Sequence, residues 1–268
     1  MVAELDARTP FEDAVAVESV GKGRYRAVVD GAWDGPGAPN GGVLAAIMVR
    51  AAQAELGSDA PAVRTLSVQF LHAPGHGPVE VGVELLRAGE RVAVCDVRMR
   101  EADRLIAQMT LVCSAPRAQE RSLASGPPQA PRFESVDTVD IRNAPGAPPF
   151  FSQLVVRPTF GSVMLSGAAD AVTGGWLALR DDDAPLDAAR LCALCDLWWP
   201  AIFSWLISPA ATPTLQLTSI FEAPSKTFMV LSWLDLRPVM SKRATLKSAG
   251  GCGRLRESCW LRVASWLY

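Results

Sequence analysis

The chain has 268 residues, 49% of them hydrophobic, enough for one large core or two fused units of ordinary size. Its net charge is -2 with no long basic block, which argues against a nucleic-acid surface. The stretch from Met1 to Asp13 is polar and acidic without a signal-peptide pattern, and no apolar run would span a bilayer. The expectation is a cytoplasmic protein that does not enter a membrane.

Val17 to Asp30 reads as a strand broken at Gly21-Lys22-Gly23. The run Gly35-Pro36-Gly37-Ala38-Pro39-Asn40-Gly41-Gly42 favours no regular structure. A helix is predicted from about Val43 to Leu56, because Leu44, Ile47, Met48 and Ala51 fall at helical spacing and Asn40 can cap it. Ala45, Ala46, Ala52 and Ala54 make its other faces small, so it is expected to be buried on most sides. Strands follow at Val63 to Leu71, Val79 to Leu86, Arg91 to Arg100 and Arg104 to Cys113. The short connections Ala88-Gly89-Glu90 and Glu101-Ala102-Asp103 make the last three antiparallel neighbours.

Residues 116–149 hold seven prolines and little periodicity, and read as a linker between a unit at 1–115 and a unit at 150–268. The second unit repeats the order of the first. Strands are expected at Ser152 to Val156 and Ala171 to Leu179. Asp181-Asp182-Asp183 and Pro185 would start a helix from about Leu186 to Trp199, stopped by Pro200. Thr214 to Phe221 and Phe228 to Leu236 are strands again. The duplication also shows as a short repeat: Leu66-Ser67-Val68-Gln69-Phe70 before Ala73-Pro74, and Leu217-Thr218-Ser219-Ile220-Phe221 before Ala223-Pro224. A site is expected where the two copies meet.

Six cysteines do not make a disulfide framework. Cys192 and Cys195 form a Cys-x-x-Cys inside an apolar helical run with no second pair, so buried thiols are the better reading, and no metal is expected. The two histidines, His72 and His76, share one turn, and no nucleophile elbow or phosphate-cradling loop is present.

One long helix per unit, wrapped by an antiparallel sheet and doubled in tandem, looks like the α+β double hotdog fold. Trp33 and Gly35, then Pro39-Asn40-Gly41-Gly42 opening a small-residue helix, resemble the first half of bacterial acyl-CoA thioesterase II-like proteins. Leu186-Asp187, Leu194-Cys195-Asp196 and Trp199-Pro200-Ala201 resemble their second helix, and Thr214 to Thr218 with Phe221 their next strand. The resemblance covers about residues 15–236. It implies a thioesterase of fatty acid metabolism that acts on acyl-CoA with no cofactor, and it allows for a homo-oligomer.

A thioesterase must polarise a water and stabilise the charge that develops on the carbonyl oxygen. A helix N-terminus offers free N–H groups and the positive end of a dipole, and Gly41 and Gly42 would leave those groups open. Asp196 is expected inside a helix among apolar neighbours, where burial would raise its pKa toward that of a useful base. The bland alternative is an Asp196 that faces solvent or pairs with Arg190. The resemblance aligns Asp196 with the family's water-activating acid and Thr214 with a hydroxyl that holds the water. Asn40 and Thr218 are read as substrate-binding. Antiparallel helices would bring the start of the first near the middle of the second, with small residues leaving an apolar groove for the acyl chain. Two other readings stand beside hydrolysis: a non-catalytic acyl-CoA binder, and a hotdog dehydratase or hydratase that would have to use His72 or His76.

The end of the chain departs from this pattern. The resemblance implies a glutamine on the last strand, and none is there; Ser265 and Arg262 are the nearest polar candidates. Residues 239–268 hold six basic residues and one acidic, against 20 and 27 in the rest. Joining the third base of each codon to the first two of the next, from Arg256 to Tyr268, permits Gly-Glu-Leu-Leu-Ala-x-Ser-Arg-Gln-Leu-Ala-Leu. That reading resembles the family's last strand, so the chain is expected to have left its ancestral frame after about Leu236. Irregular packing over residues 239–268, glycine pairing at Gly250-Gly251, no period-two apolar run and exposed Trp260 or Trp266 would follow.

Overall fold

The computed structural model describes residues 9–115, 130–144, 146–221, 228–233 and 262–267, the last two segments by their backbone. After a short helix α1 (Pro10–Ala14), the first unit holds a hairpin, β1 (Glu18–Gly21) and β2 (Arg24–Val29). The long helix α2 (Gly41–Leu56) follows, and then β3 (Val63–Phe70), β4 (Gly77–Arg87), β5 (Val92–Glu101) and β6 (Arg104–Ser114). Alternation decides which face is buried: Tyr25, Ala27 and Val29 on β2, and Val79, Val81 and Val83 on β4, turn inward toward α2. Asn40 caps α2 by accepting from the Val43 N–H at 3.1 Å. Gly57, at φ 80°, ends it in a conformation that a residue with a Cβ rarely adopts.

The second unit repeats the plan with β7 (Leu154–Gly161), β8 (Val172–Leu179), α3 (Ala188–Cys195), a one-turn helix α4 (Ile202–Trp205), β9 (Gln216–Ile220), β10 (Phe228–Trp233) and β11 (Arg262–Leu267). Residues of the proline-rich stretch pack on this unit: the Trp176 indole donates to the Pro131 carbonyl at 2.9 Å, and the Arg157 guanidinium lies over the Phe133 ring at 4.1 Å. A 3-10 turn at Pro149–Gln153 docks on the first unit, where the Phe150 N–H donates to the Asp34 carbonyl at 3.3 Å.

All strand pairs are antiparallel, in two sheets of order β1-β2-β4-β5-β6-β3-β9 and β11-β10-β8-β7. The repeated pentapeptides are the seam. Ser67 pairs with Thr218, Leu66 with Ser219 and Val68 with Leu217, so an approximate twofold axis passes between Ser67 and Thr218. Across that axis α2 and α3 lie against each other, and the Arg50–Asp187 ion pair, 2.6 Å, ties the second half of α2 to the start of α3. The helices therefore run antiparallel.

Three expectations need correction. Helix α3 spans eight residues rather than about fourteen, because the chain turns at Asp196 and stacks Trp198 on Trp199, with ring centroids 4.2 Å apart. Its N-cap is Asp187, which accepts from the Arg190 N–H at 3.0 Å; the aspartates at 181–183 lie upstream, and Asp182 instead binds the Arg190 side chain. The alanines do not leave a groove. Ala45, Ala46, Ala51, Ala52, Ala189 and Ala193 are fully buried and let the helices approach closely. A depression of about 280 Å³ lies on the outer face of the sheet, lined by Arg24, Glu80, Gly82, Glu84 and Arg98.

Candidate active site

The close approach of the helices builds one polar cluster. Asp196 is the C-cap of α3, and Asn40-Gly41-Gly42 opens α2 directly opposite. One carboxylate oxygen of Asp196, Oδ2, accepts from the Gly42 N–H at 2.9 Å. The other, Oδ1, accepts from the Thr214 hydroxyl at 2.8 Å. The Asn40 side-chain amide donates to the Asp196 carbonyl at 3.1 Å, which locks the end of one helix onto the start of the other.

The glycines answer a steric demand before a chemical one. A Cβ on Gly42 would lie 2.7 Å from both the Ala193 carbonyl oxygen and Asp196 Cβ. A Cβ on Gly41 would lie 3.0 Å from Asp196 Oδ2 and 3.1 Å from the edge of the Phe70 ring. Only glycine at 42 lets the carboxylate reach the helix N-terminus. The Gly41 N–H has no acceptor among the described residues.

Asp196 is half-buried. Burial pushes its carboxyl up to about 6, and the hydrogen bonds from Thr214 and Gly42 pull the other way. A carboxylate with that affinity is mostly ionised at neutral pH yet basic enough to take a proton from water. Among the described residues no cation pairs with it: Arg190 is engaged by Asp182, Asp187 and Glu12, so the bland pairing with Asp196 does not form.

The predicted residues divide. Asp196, Thr214, Gly42 and Asn40 converge, and Gly41 adjoins them. Asn40 is buried with both ends of its amide engaged by protein, so it fits a clasp better than a substrate contact. Thr218 stands apart: alternation along β9 buries Leu217 and Ser219 and exposes Thr218, whose hydroxyl meets Ser67 at 3.1 Å on the outer face. Gly42 also corrects an expectation, since its N–H is given to Asp196 rather than left open for an oxyanion. Asp196 reaches the site from a helix end, not a helix interior. The role of Phe70 in walling Gly41 was not anticipated, although it closes the repeated pentapeptide.

The histidines do not join the cluster. His76 is exposed and bonds Asp34 at 2.9 Å, and His72 is exposed. Cys192 and Cys195 are buried in α3, and burial pushes the Cys192 thiol well above its ordinary value. No group of three or more metal-ligating side chains occurs among the described residues, and none of their helices is long and apolar enough to cross a membrane.

Two family models match the sequence. The acyl-CoA thioesterase N-terminal domain matches residues 29–114, and the acyl-CoA thioesterase C-terminal domain matches residues 118–240. No curated protein matches the chain. Among solved structures, a hot dog fold protein of unknown function from Alicyclobacillus acidocaldarius superposes with a TM-score of 0.76 at 22% identity, over 85% of this chain and 87% of that one. A proposed thioesterase II from Thermobifida fusca YX gives 0.71 at 24% identity, over 85% and 88%. The acyl-CoA thioesterase II TesB2 of Mycobacterium marinum gives 0.63 at 17% identity, over 84% and 85%. At these identities the structures establish the hotdog fold, and the two family models carry the assignment.

Proposed function

This chain belongs to the acyl-CoA thioesterase family, and on that premise we propose that it hydrolyses acyl-CoA with Asp196 as the general base. The observation that carries the proposal is the double anchoring of one raised-pKa carboxylate at the meeting point of the two units. Gly42 and Thr214 each occupy one oxygen and leave further lone pairs to accept from a water.

In the proposed reaction Asp196 removes a proton as the water oxygen attacks the thioester carbonyl carbon. The charge that builds on the carbonyl oxygen is met by the Gly41 N–H and the positive end of α2. The tetrahedral intermediate collapses, the carbon–sulfur bond breaks, and the proton held by Asp196 goes to the departing CoA sulfur. Water and acyl-CoA become free acid and CoA. Thr214 keeps the carboxylate in one rotamer. Gly42, which sequence reasoning grouped with Gly41 as an oxyanion donor, serves the base instead. Every group invoked is a side chain or an amide of this chain, so the proposed mechanism uses no cofactor. A cytoplasmic location is part of the same proposal.

The test is release of free thiol from a panel of acyl-CoAs. Asp196→Asn is expected to lower kcat by at least about a hundredfold, the scale of a lost general base. Unchanged turnover would remove Asp196 from the chemistry.

A further inference from the structure

The two units correspond strand for strand, with one exception. The hairpin β1-β2 answers to β7-β8, α2 to α3, β3 to β9, and β4 to β10. Just as β4 lies between β2 and β5, β10 lies between β8 and β11. In the first unit β6 then bridges β5 to β3. Among the described residues nothing bridges β11 to β9. Each ends its own sheet, and among those residues the second unit shows no counterpart of β6.

The rim of that position is unfinished. Ser219 points inward from β9, is buried, and its hydroxyl has no partner among the described residues. The family match stops at residue 240, close to where the charge balance of the sequence changes.

We infer that the codons beyond about Leu236 are read out of their ancestral frame, and that the shifted frame encodes the strand that belongs between β9 and β11. The chain's own first unit is the template. Strand β6 begins Arg104-Leu105-Ile106-Ala107, and the shifted reading from Arg256 contains Glu-Leu-Leu-Ala. Part of this does not depend on codon choice. Cys ends in T or C and Trp is TGG, so the Cys259–Trp260 junction must read Leu. The Trp260–Leu261 junction must read Ala or Val. These two fall on the positions of Ile106 and Ala107.

The register extends the match. In the first unit Val68 faces Met109 and Leu66 faces Leu111. Ser219 and Leu217 are the twofold equivalents of Val68 and Leu66. Aligned on Leu-Leu-Ala, the shifted strand sets a serine opposite Ser219 and a glutamine opposite Leu217. The orphaned hydroxyl gains a partner, and the buried face of β9 gains a polar side chain. As the chain stands, Arg262–Leu267 fills the β5 position beside β10 instead.

Two experiments test the inference, and neither depends on the proposed activity. The nucleotide sequence comes first. Glutamine at the Ala264–Ser265 junction requires Ala264 as GCC and Ser265 as AGC or AGT; any other pair of codons there overturns the assignment of that strand. The second compares this chain with a variant in which one base inserted ahead of Arg256 restores the frame. The restored chain is expected to melt at least about 5 °C higher. It should also gain hydrogen-exchange protection at Gln216–Ile220, the strand that acquires a neighbour. Equal melting temperatures with β9 no better protected would overturn the inference. A restored chain that is more stable yet inactive would leave it standing and contradict the proposed chemistry instead.

Discussion

In the proposed mechanism Asp196 serves function at the expense of stability. Folding raises its carboxyl from 3.8 to about 6, so the folded state holds the proton more tightly than the unfolded chain. Its favourable contribution is full below pH about 4 and is lost as pH climbs through about 6, a swing of about 3 kcal/mol. Asp196→Asn should therefore raise the melting temperature at pH 8 and leave it nearly unchanged at pH 4, while kcat falls. Equal melting shifts at both pH values would contradict a raised carboxyl. The glycines separate by a similar comparison. Gly42→Ala drives a Cβ into the Ala193 backbone and should cost about 1–3 kcal/mol of stability together with activity. Gly41→Ala meets only the tips of Asp196 and Phe70, so its loss is expected in kcat more than in denaturant midpoint. These residues were legible because each breaks a local rule, as two adjacent glycines do at a helix start. That Gly42 serves the carboxylate was not legible, since it depends on a partner 154 residues away.

At the scale of elements, period-two alternation located β2, β4, β5 and β6 to within about two residues, because one face of each is buried in the same core. Helix α2 was legible from its spacing and its Asn40 cap. Helix α3 was overextended. Leu197, Trp198 and Trp199 continue an apolar run, and periodicity cannot tell a helix from a buried turn that stacks two indoles. What pins α3 is ionic. The buried Arg190 binds Asp182, Asp187 and Glu12, and Arg50 joins Asp187 and Glu12 from α2. Arg190→Met leaves three carboxylates around a vanished cation, one of them on the fully enclosed Asp182 side chain. The expected cost is about 3–5 kcal/mol, read as a lower urea midpoint. A loss under about 1 kcal/mol would mean that the network merely decorates the interface.

The whole molecule is a duplication, and among the described residues the proposed site forms on one side of its axis. Asp187 occupies the place of Asn40, so Val49 on α2 is the counterpart of Asp196, and it is fully buried. The second helix opens with Ala188 and Ala189 where α2 has Gly41 and Gly42. The equivalent of the Asp196 cluster is thus an apolar contact beside the Arg50–Asp187 ion pair. The repeated pentapeptide announced the duplication, and pairing of the two copies in register set the axis. Sequence could not show which copy would carry the chemistry, because that depends on which helix start meets which helix end. The expectations for Gly250-Gly251, Trp260 and the packing of residues 239–261 lie outside the described residues; over Arg262–Leu267, where irregular packing was expected too, the backbone instead pairs with β10 in unbroken register. Those for Arg262, Ser265 and Trp266 concern side chains on β11, which is described by its backbone alone. The central claim is that Asp196, tuned by its two hydrogen bonds, is the base. Its most direct test is the pH dependence of kcat/KM for acyl-CoA hydrolysis in the wild type and in Thr214→Val. The wild type should gain activity with rising pH through an apparent pKa near 6, and loss of the Thr214 hydrogen bond, which lowers that pKa, should move the limb to higher pH. A flat profile, or a limb that Thr214→Val leaves in place, would contradict the account.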